Sequence, residues 1–157
     1  MKLIPFGGKT PSNTAAAVAV DANGKLDTVK TWGFEEEALV SGSTSWITPS
    51  TTAKYTNALD VSDCAMVSLC VMSAAKNSSS AVVPVTFTFL RTDSESSTEV
   101  LKDADGNAIS FTLSNGYHLI TPDDFPILKY LKYLHLRVQS SAAVSSGQVN
   151  VKVYRKR

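Results

Sequence analysis

The sequence predicts an all-β domain: a β-sandwich or jelly roll of about seven to nine strands, preceded by an extended N-terminal arm and a β-hairpin. Two observations predict this class. Short apolar or alternating segments recur along the chain, punctuated by turn pairs at Asn23-Gly24, Asp105-Gly106 and Asn115-Gly116. Charged residues make up only 18% of the 157 residues, and Ser and Thr, which suit strand surfaces and turns, fill much of the difference.

The first 32 residues are predicted to be an anchoring segment, and residues 33–157 the sandwich domain. Residues 1–14 are rich in Pro, Gly and Asn, which are unfavourable for regular structure, so they are predicted to form an arm. Residues 17–32 flank the Asn23-Gly24 pair and are predicted to form a hairpin. Because an isolated hairpin is marginally stable in water, we expect this one to pack on a larger body.

The middle of the chain contains two predicted long strands. Before them, Glu35 to Val40 fits either a helical turn or the start of a strand, and the Ser/Thr-rich stretch 41–56 fits short strands and loops. The apolar run from Cys64 to Met72 predicts a strand covered on both faces. Residues 82–90 alternate, with the odd-numbered apolar residues on one face. Pro84 has no amide hydrogen, so this strand should lie at a sheet edge or begin pairing after the proline.

The second half of the chain contains further short strands. The predicted strands are 100–101, 109–113, 117–120, 133–138 and 149–154. The first two form a hairpin around an Asp-Gly turn within 103–107, and Asn115-Gly116 turns the chain before the third. Residues 122–126 are predicted to be a crossing loop with one helical turn.

The two cysteines and the chain start suggest a compartment. In one straight strand, Cys64 and Cys70 would lie about 20 Å apart, whereas a disulfide needs Cα atoms within about 7 Å. We therefore predict buried thiols in a reducing compartment, the alternative being a cross-link to a neighbouring subunit. The apolar run at the start is too short for a secretory signal, and no window approaches the roughly 18 apolar residues of a membrane helix. We expect the chain to stay in the compartment that makes it.

Motifs for catalysis and metal binding are missing from the sequence. There is no Gly-x-Ser-x-Gly elbow and no Gly-rich phosphate loop. His118 and His135 have no Cys, Asp or Glu at a zinc-like spacing and are predicted to be surface histidines. The stretch 103–107 begins like a calcium loop, but no Glu follows at its twelfth position, so a hairpin turn is favoured. We predict a protein that is not an enzyme and needs no metal or cofactor.

The charges are distributed unevenly, although the formal net charge is only +1 and predicts no general attraction to nucleic acid or membranes. No acidic residue follows Asp124. The basic residues that do follow are Lys129, Lys132, Arg137, Lys152, Arg155, Lys156 and Arg157. The last two strands and the tail are therefore predicted to form a basic region.

Two roles are open for this basic region. It is either ordinary edge protection or a docking surface for an acidic partner, and then Lys152, Arg155, Lys156 and Arg157 are the partner-binding candidates. Nucleic acid is a weaker alternative, in which tyrosines of the same region stack on bases.

Several stretches resemble proteins of known families. Residues 18–26 read Val-Ala-Val-Asp-Ala-Asn-Gly-Lys-Leu and resemble the V-x-V-D-x-x-G-x-L opening of head-fibre, decoration and tail-associated proteins of tailed bacteriophages. Residues 59–69, with 134–140 and 149–155, are similar to galactose-binding-like β-sandwiches. The phage resemblance implies a non-enzymatic structural protein of the virion that is assembled in the cytoplasm of a bacterial host.

The leading hypothesis is a virion protein that decorates or cements the capsid and contacts other virion subunits and copies of itself. Its arm and hairpin would anchor it, because such an arm gains order only against a partner. The anchoring candidates are Leu3, Ile4, Phe6, Val18 and Val20. The alternative is a carbohydrate-binding module of the tail or baseplate that attaches to the host. Its candidate stacking platforms are Trp32, Trp46 and Tyr117, unless these side chains pack in the core.

Overall fold

The computed structural model describes residues 35–38 and 46–156, which all belong to the unit Gly33–Arg157. Of residues 35–38 the backbone alone is described. The predicted arm and hairpin lie outside the described residues, as does the predicted boundary after residue 32. Those expectations stay predictions.

Ten strands and one short 3-10 helix make up the described part of the chain. The strands are β1 (Glu35–Ala38), β2 (Lys54–Tyr55), β3 (Leu59–Asp60), β4 (Met66–Ser73), β5 (Val85–Phe89), β6 (Ser110–Leu113), β7 (Gly116–Ile120), β8 (Tyr133–Leu134), β9 (Leu136–Ser140) and β10 (Val149–Lys156). The 3-10 helix spans Pro126–Lys129, directly after the predicted crossing loop.

Two four-stranded antiparallel sheets form the sandwich. Sheet I has the order β1-β10-β4-β7, and sheet II has the order β2-β9-β5-β6. A small ladder of β3 and β8 stands apart from both. The predicted all-β sandwich is confirmed.

The core lies between the sheets because alternate residues of each long strand point inward. From sheet I these are Val67, Leu69, Val71, Val149, Val151 and Val153, and from sheet II Val85, Phe87, Phe89, Leu136 and Val138. None of them is more than 2% exposed. Phe87 also stacks on Phe111, with ring centroids 5.1 Å apart and planes 13° from parallel. Burying each of these side chains contributes roughly 1.5–3 kcal/mol, so this shared core holds the two sheets together.

Predicted turns position the edge strands. Asp103 donates its N–H to the Asn107 carbonyl (2.9 Å) and Gly106 has φ +85°, which confirms the Asp-Gly turn. Gly116 has φ +97°, a conformation that glycine adopts at little cost. This second turn connects β6 in sheet II to β7 in sheet I. The chain therefore crosses between sheets here, and β6 and β7 become edge strands on the same side of the sandwich.

Pro84 marks the start of pairing for its strand. β5 begins at the next residue and pairs with β6 on one side and β9 on the other. The expectation that pairing begins after the proline is confirmed, and the alternative of an edge strand is wrong. The sequence left two possibilities for the stretch that begins at Glu35, a helical turn or a strand. In the structure, Glu35–Ala38 forms strand β1.

The strand predicted over Cys64 to Met72 begins two residues later than expected. The Cys64 N–H donates to the Val61 carbonyl (3.0 Å) in a turn, so Cys64 lies before β4 and is only half-buried. Cys70 is in β4 and buried. The prediction of two buried thiols in one strand is wrong for Cys64, because the turn at Val61 leaves it outside the ladder.

The strand predicted over 133–138 is two short strands. β8 belongs to the small ladder and β9 to sheet II, and the chain changes sheets at His135. His135 is 3% exposed, and its Nε2 lies 2.7 Å from the Arg91 carbonyl oxygen. The prediction of a surface histidine is wrong here, because the change of sheet turns the imidazole inward, where a backbone carbonyl supplies its hydrogen-bond partner.

Candidate functional site

The outer faces of the two sheets differ in chemistry. On sheet II the outward side chains are mostly hydroxyls and other polar groups: Thr86, Thr88, Ser110, Thr112, Arg137 and Gln139, with Tyr55 beside them. Thr86 and Thr112 are linked through their hydroxyl oxygens at 2.9 Å. The amide of Gln139 donates to the Thr51 carbonyl (2.7 Å). We call this surface the polar face. Its Arg137 Nε is buried and has no hydrogen-bond partner among the described residues.

On sheet I the outward surface is dominated by aromatic, aliphatic and sulfur-containing side chains. They are Trp46, Met66, Cys70, Met72, Tyr117, Leu119 and Tyr154, and we call the surface they form the apolar face. Four polar residues point to the same side of the sheet: Ser68, Asn150, Lys152 and Lys156. Tyr117 is 62% exposed, Leu119 59% and Met66 45%. Exposed apolar patches of this kind mark interaction sites in folded proteins more often than scattered apolar residues do.

The strand pairing explains how the apolar face forms. Residues directly opposite each other in antiparallel strands share a face. Met72 of β4 lies opposite Tyr117 of β7, and Cys70 lies opposite Leu119. β4 is apolar on both of its faces, so one set of its side chains enters the core while the other faces outward with β7.

Cys70 faces outward but is only 4% exposed. Tyr117 of β7 interacts with Cys70 of β4 and with Tyr154 of β10. These contacts, that with Cys70 foremost, raise the pKa of Tyr117 well above its usual value. In the strand register Cys70 lies between Leu119 of β7 and Lys152 of β10.

A shallow groove of about 470 Å³ lies at one end of the apolar face. It is lined by Trp46 and Met72, by the polar side chains of Thr48 and Gln148, and by the 145–147 loop. The Gln148 side-chain amide donates to the Thr48 hydroxyl at 3.2 Å. Since Met72 also lies opposite Tyr117, the structure brings two of the three predicted stacking residues, Trp46 and Tyr117, to one sheet face. Trp32 lies outside the described residues.

Gly147 shapes the floor of this groove. Its φ is +78°, and a Cβ there would meet the Ala74 carbonyl oxygen at 1.8 Å. A side chain at this position would therefore push the 145–147 loop away from the end of β4. The close approach of the two backbones depends on glycine.

The predicted basic region is divided by the fold. β9, with Arg137, lies in sheet II, whereas β10, with Lys152, Arg155 and Lys156, lies in sheet I. The expectation that the last two strands form one basic pair is wrong, because β9 pairs with β2 and β5 while β10 pairs with β1 and β4. The Arg155 guanidinium donates to the Asp60 carbonyl at 3.3 Å, so part of its function is structural.

Two of the predicted partner-binding residues lie on the same side of sheet I as the apolar face, Lys152 opposite Cys70 and Lys156 opposite Met66. Lys152, Arg155 and Lys156 are half-buried along β10. The anchoring candidates Leu3, Ile4, Phe6, Val18 and Val20, and the terminal Arg157, lie outside the described residues.

The histidines and acidic residues of the described chain serve local structure. His118 is half-buried, with Nε2 2.9 Å from the Asn115 carbonyl. The Asp103 carboxylate accepts the N–H groups of Asn107 (2.8 Å) and Asp105 (3.0 Å) inside its turn. In the described ranges no cluster of three or more His, Cys, Asp or Glu side chains is placed to hold a metal ion. Nor does a helix in that part of the chain have the length and apolarity to cross a bilayer.

Sequence reasoning missed three members of the apolar face: Met66, Met72 and Leu119. The usable signal was present in the run from Cys64 to Met72, which is apolar at odd and even positions alike. We interpreted that run as a strand covered on both faces. Instead Met66, on the outer side of β4, is 45% exposed.

Comparison with known proteins identifies no family. No family model matches the sequence, and no curated protein matches it. Among solved structures, a chain described under "Bacillus endospore appendages form a novel family of disulfide-linked pili" is similar at 13% sequence identity and a TM-score of 0.42. The match covers 79% of this chain and 88% of that chain.

Proposed function

We propose that this chain is a non-enzymatic structural protein of a tailed-phage particle that decorates or cements the capsid. The observation that supports this most is the contrast between the outer faces of the sandwich. The outer side of sheet II is mostly polar, whereas the outer side of sheet I combines exposed aromatic and aliphatic side chains with two lysines, which suits contact with another protein. Tyr, Trp and Met, which recur on the apolar face, are the residues enriched in protein–protein interfaces.

The phage assignment itself rests on the resemblance of residues 18–26 to the opening of virion proteins. In this proposal the arm, residues 1–14, anchors the chain to the capsid shell. The apolar face then packs against a neighbouring virion subunit.

Purified particles test this proposal. The chain should band with particles in a density gradient, in a fixed ratio to the major capsid protein. A variant that lacks residues 1–14 should keep its circular dichroism spectrum and melting temperature but be missing from particles. Tyr130→Ala, at a 75% exposed tyrosine directly after the 3-10 helix and outside both sheets, is the matched control and should be incorporated normally. Finding the full-length chain only in the unassembled fraction would overturn the proposal.

A second candidate function is favoured by the groove at Trp46. An aromatic platform beside amide and hydroxyl groups is a common arrangement for binding sugars, since the ring covers the apolar face of the sugar while polar groups meet its hydroxyls. We propose as the alternative a carbohydrate-binding module of the tail or baseplate. It predicts hits on a glycan array that are lost in Trp46→Ala and kept in Tyr130→Ala. An array without hits would contradict it.

A further inference from the structure

β7 is an edge strand without the usual protection. Edge strands of natural proteins are commonly short, charged, kinked by proline or covered, because their outer N–H and C=O groups otherwise invite pairing with another chain. β7 spans five residues, Gly116–Ile120, and contains no charged residue and no proline. Among the described residues, β4 alone pairs with it.

The other sheet edges are less suited to pairing. β1, the opposite edge of sheet I, reads Glu-Glu-Glu-Ala, so pairing two copies of it would juxtapose like charges. β2 is two residues long and includes Lys54. β6 directs Phe111 and Leu113 partly into the core and presents Ser110 and Thr112 outward. β7 differs from all three, because its outward side chains, Tyr117 and Leu119, are apolar and about 60% exposed.

We propose that β7 is a self-association edge, where two copies of this chain pair antiparallel about a two-fold axis at His118. Two identical edges can pair in this way because a two-fold interface uses the same surface on both subunits. Centring the pair on His118 uses all five residues, since Gly116 then lies opposite Ile120 and Tyr117 opposite Leu119 of the second copy. Sheet I of one copy and sheet I of the other would then join into one continuous sheet, with a tyrosine–leucine contact on each side of the axis.

Charge supports a second copy as the occupant. The pairing edge is uncharged and the whole chain carries a formal net charge of +1, so two copies approach with little repulsion. The pairing would also extend the apolar face across both copies, because Tyr117 and Leu119 are members of it. This inference deepens the proposed structural role. Its test uses the isolated chain without particles, so that its failure leaves the particle experiment unaffected.

Sedimentation of the full chain tests the proposal and its register. We expect a dimer, or a multiple of it, below about 100 μM. Leu119→Lys should raise the dissociation constant about tenfold or more, whereas Tyr130→Lys, the matched control, should leave it unchanged. Mixing Leu119→Lys with Tyr117→Glu should restore dimers, because residue 119 of one copy lies opposite residue 117 of the other. Mixing Leu119→Lys with Leu119→Glu should restore them much less.

Hydrogen exchange of the unmodified chain gives a second readout that does not depend on any variant folding. Amides of Gly116–Ile120 should exchange faster as the chain is diluted, while amides of β5, which pairs on both sides, should not change. A chain that stays monomeric up to about 100 μM, or an oligomer insensitive to Leu119→Lys, would overturn the proposal. Exchange in β7 that is independent of concentration would overturn it as well.

Discussion

Tyr117 on β7 interacts with Cys70 on the neighbouring strand β4, and with Tyr154 on β10, in a way that raises the pKa of its phenol above the usual value. These contacts join three strands of sheet I on its outer side, where no second layer is described. Cys70 faces outward on this side of the sheet and is only 4% exposed. The contacts also give the apolar face a fixed centre, with Leu119 and the two methionines around it.

The first prediction concerns the reactivity of Cys70. Because Cys70 is only 4% exposed, a thiol reagent should label half-buried Cys64 quickly and Cys70 slowly. In a Cys64→Ser background, Tyr117→Ala should accelerate labelling of Cys70 about tenfold or more, since access governs the rate once a thiolate forms. Tyr130→Ala should have no effect. Mass spectrometry of the labelled peptides reads both rates, and equal labelling of the two cysteines in the unmodified chain would contradict the arrangement.

A second prediction tests the link between Thr56 and Leu136. The Leu136 N–H donates to the Thr56 hydroxyl (2.9 Å), and the Thr56 N–H donates to the Leu136 carbonyl (2.9 Å). Thr56→Val keeps the shape but leaves a buried N–H without its acceptor, so it should lower the free energy of unfolding by about 1–3 kcal/mol. Thr56→Ser retains the hydroxyl and should cost less. Urea unfolding measures both, and equal losses would mean that the hydroxyl contributes nothing.

A third prediction compares two glycines of positive φ. Gly106 has φ +85° with nothing within 4 Å of a built Cβ, whereas at Gly147 the Cβ would overlap the Ala74 carbonyl. Gly106→Ala should cost about 1–2 kcal/mol, the price of the left-handed conformation alone. Gly147→Ala should cost more than about 4 kcal/mol, because the backbone itself must move. Thermal unfolding measures the two losses. Equal melting temperatures for the two variants would contradict the close approach of the backbones at the groove floor.

A fourth prediction concerns acid stability. Hydrogen bonds from the Asn107 backbone lower the pKa of Asp103, and those from the Thr121 backbone and hydroxyl lower the pKa of Asp124. Carboxyl groups with lowered pKa values stabilise the fold above their unfolded pKa of about 3.9, and that contribution is lost as the pH falls through the lower folded values. Stability should therefore drop below about pH 4.

The matched variant is Asp103→Asn with Asp124→Asn. It cannot titrate at these sites, so its stability should fall less steeply with pH than that of the unmodified chain. Denaturant unfolding from pH 7 down to pH 2.5 measures the two slopes. Identical slopes would show that these turns do not contribute to acid sensitivity.

Local sequence patterns predicted the strands well, but they did not predict which distant strands pair with each other. The alternation from Val83 to Phe89 identified the inward residues of β5, and the Asp-Gly pair located a turn, because both signals act over a few residues. The assignment of strands to sheets depends on contacts between distant residues, so the alternation of 133–138 gave no sign that the chain changes sheets at His135. The apolar face was not predicted for the same reason. The sequence shows that β4 is apolar on both faces, but it does not show which elements cover each face.

Oxidative footprinting of the chain in assembled particles and in isolation tests the central claim most directly, because the apolar face is rich in oxidisable side chains. Assembly should protect Trp46, Met66 and Tyr117 several-fold, while Tyr55 beside the polar face and exposed Tyr130 should react as in the isolated chain. Unchanged oxidation of Trp46, Met66 and Tyr117 together with protection of Tyr55 would mean that the polar face makes the contact, and would contradict the account.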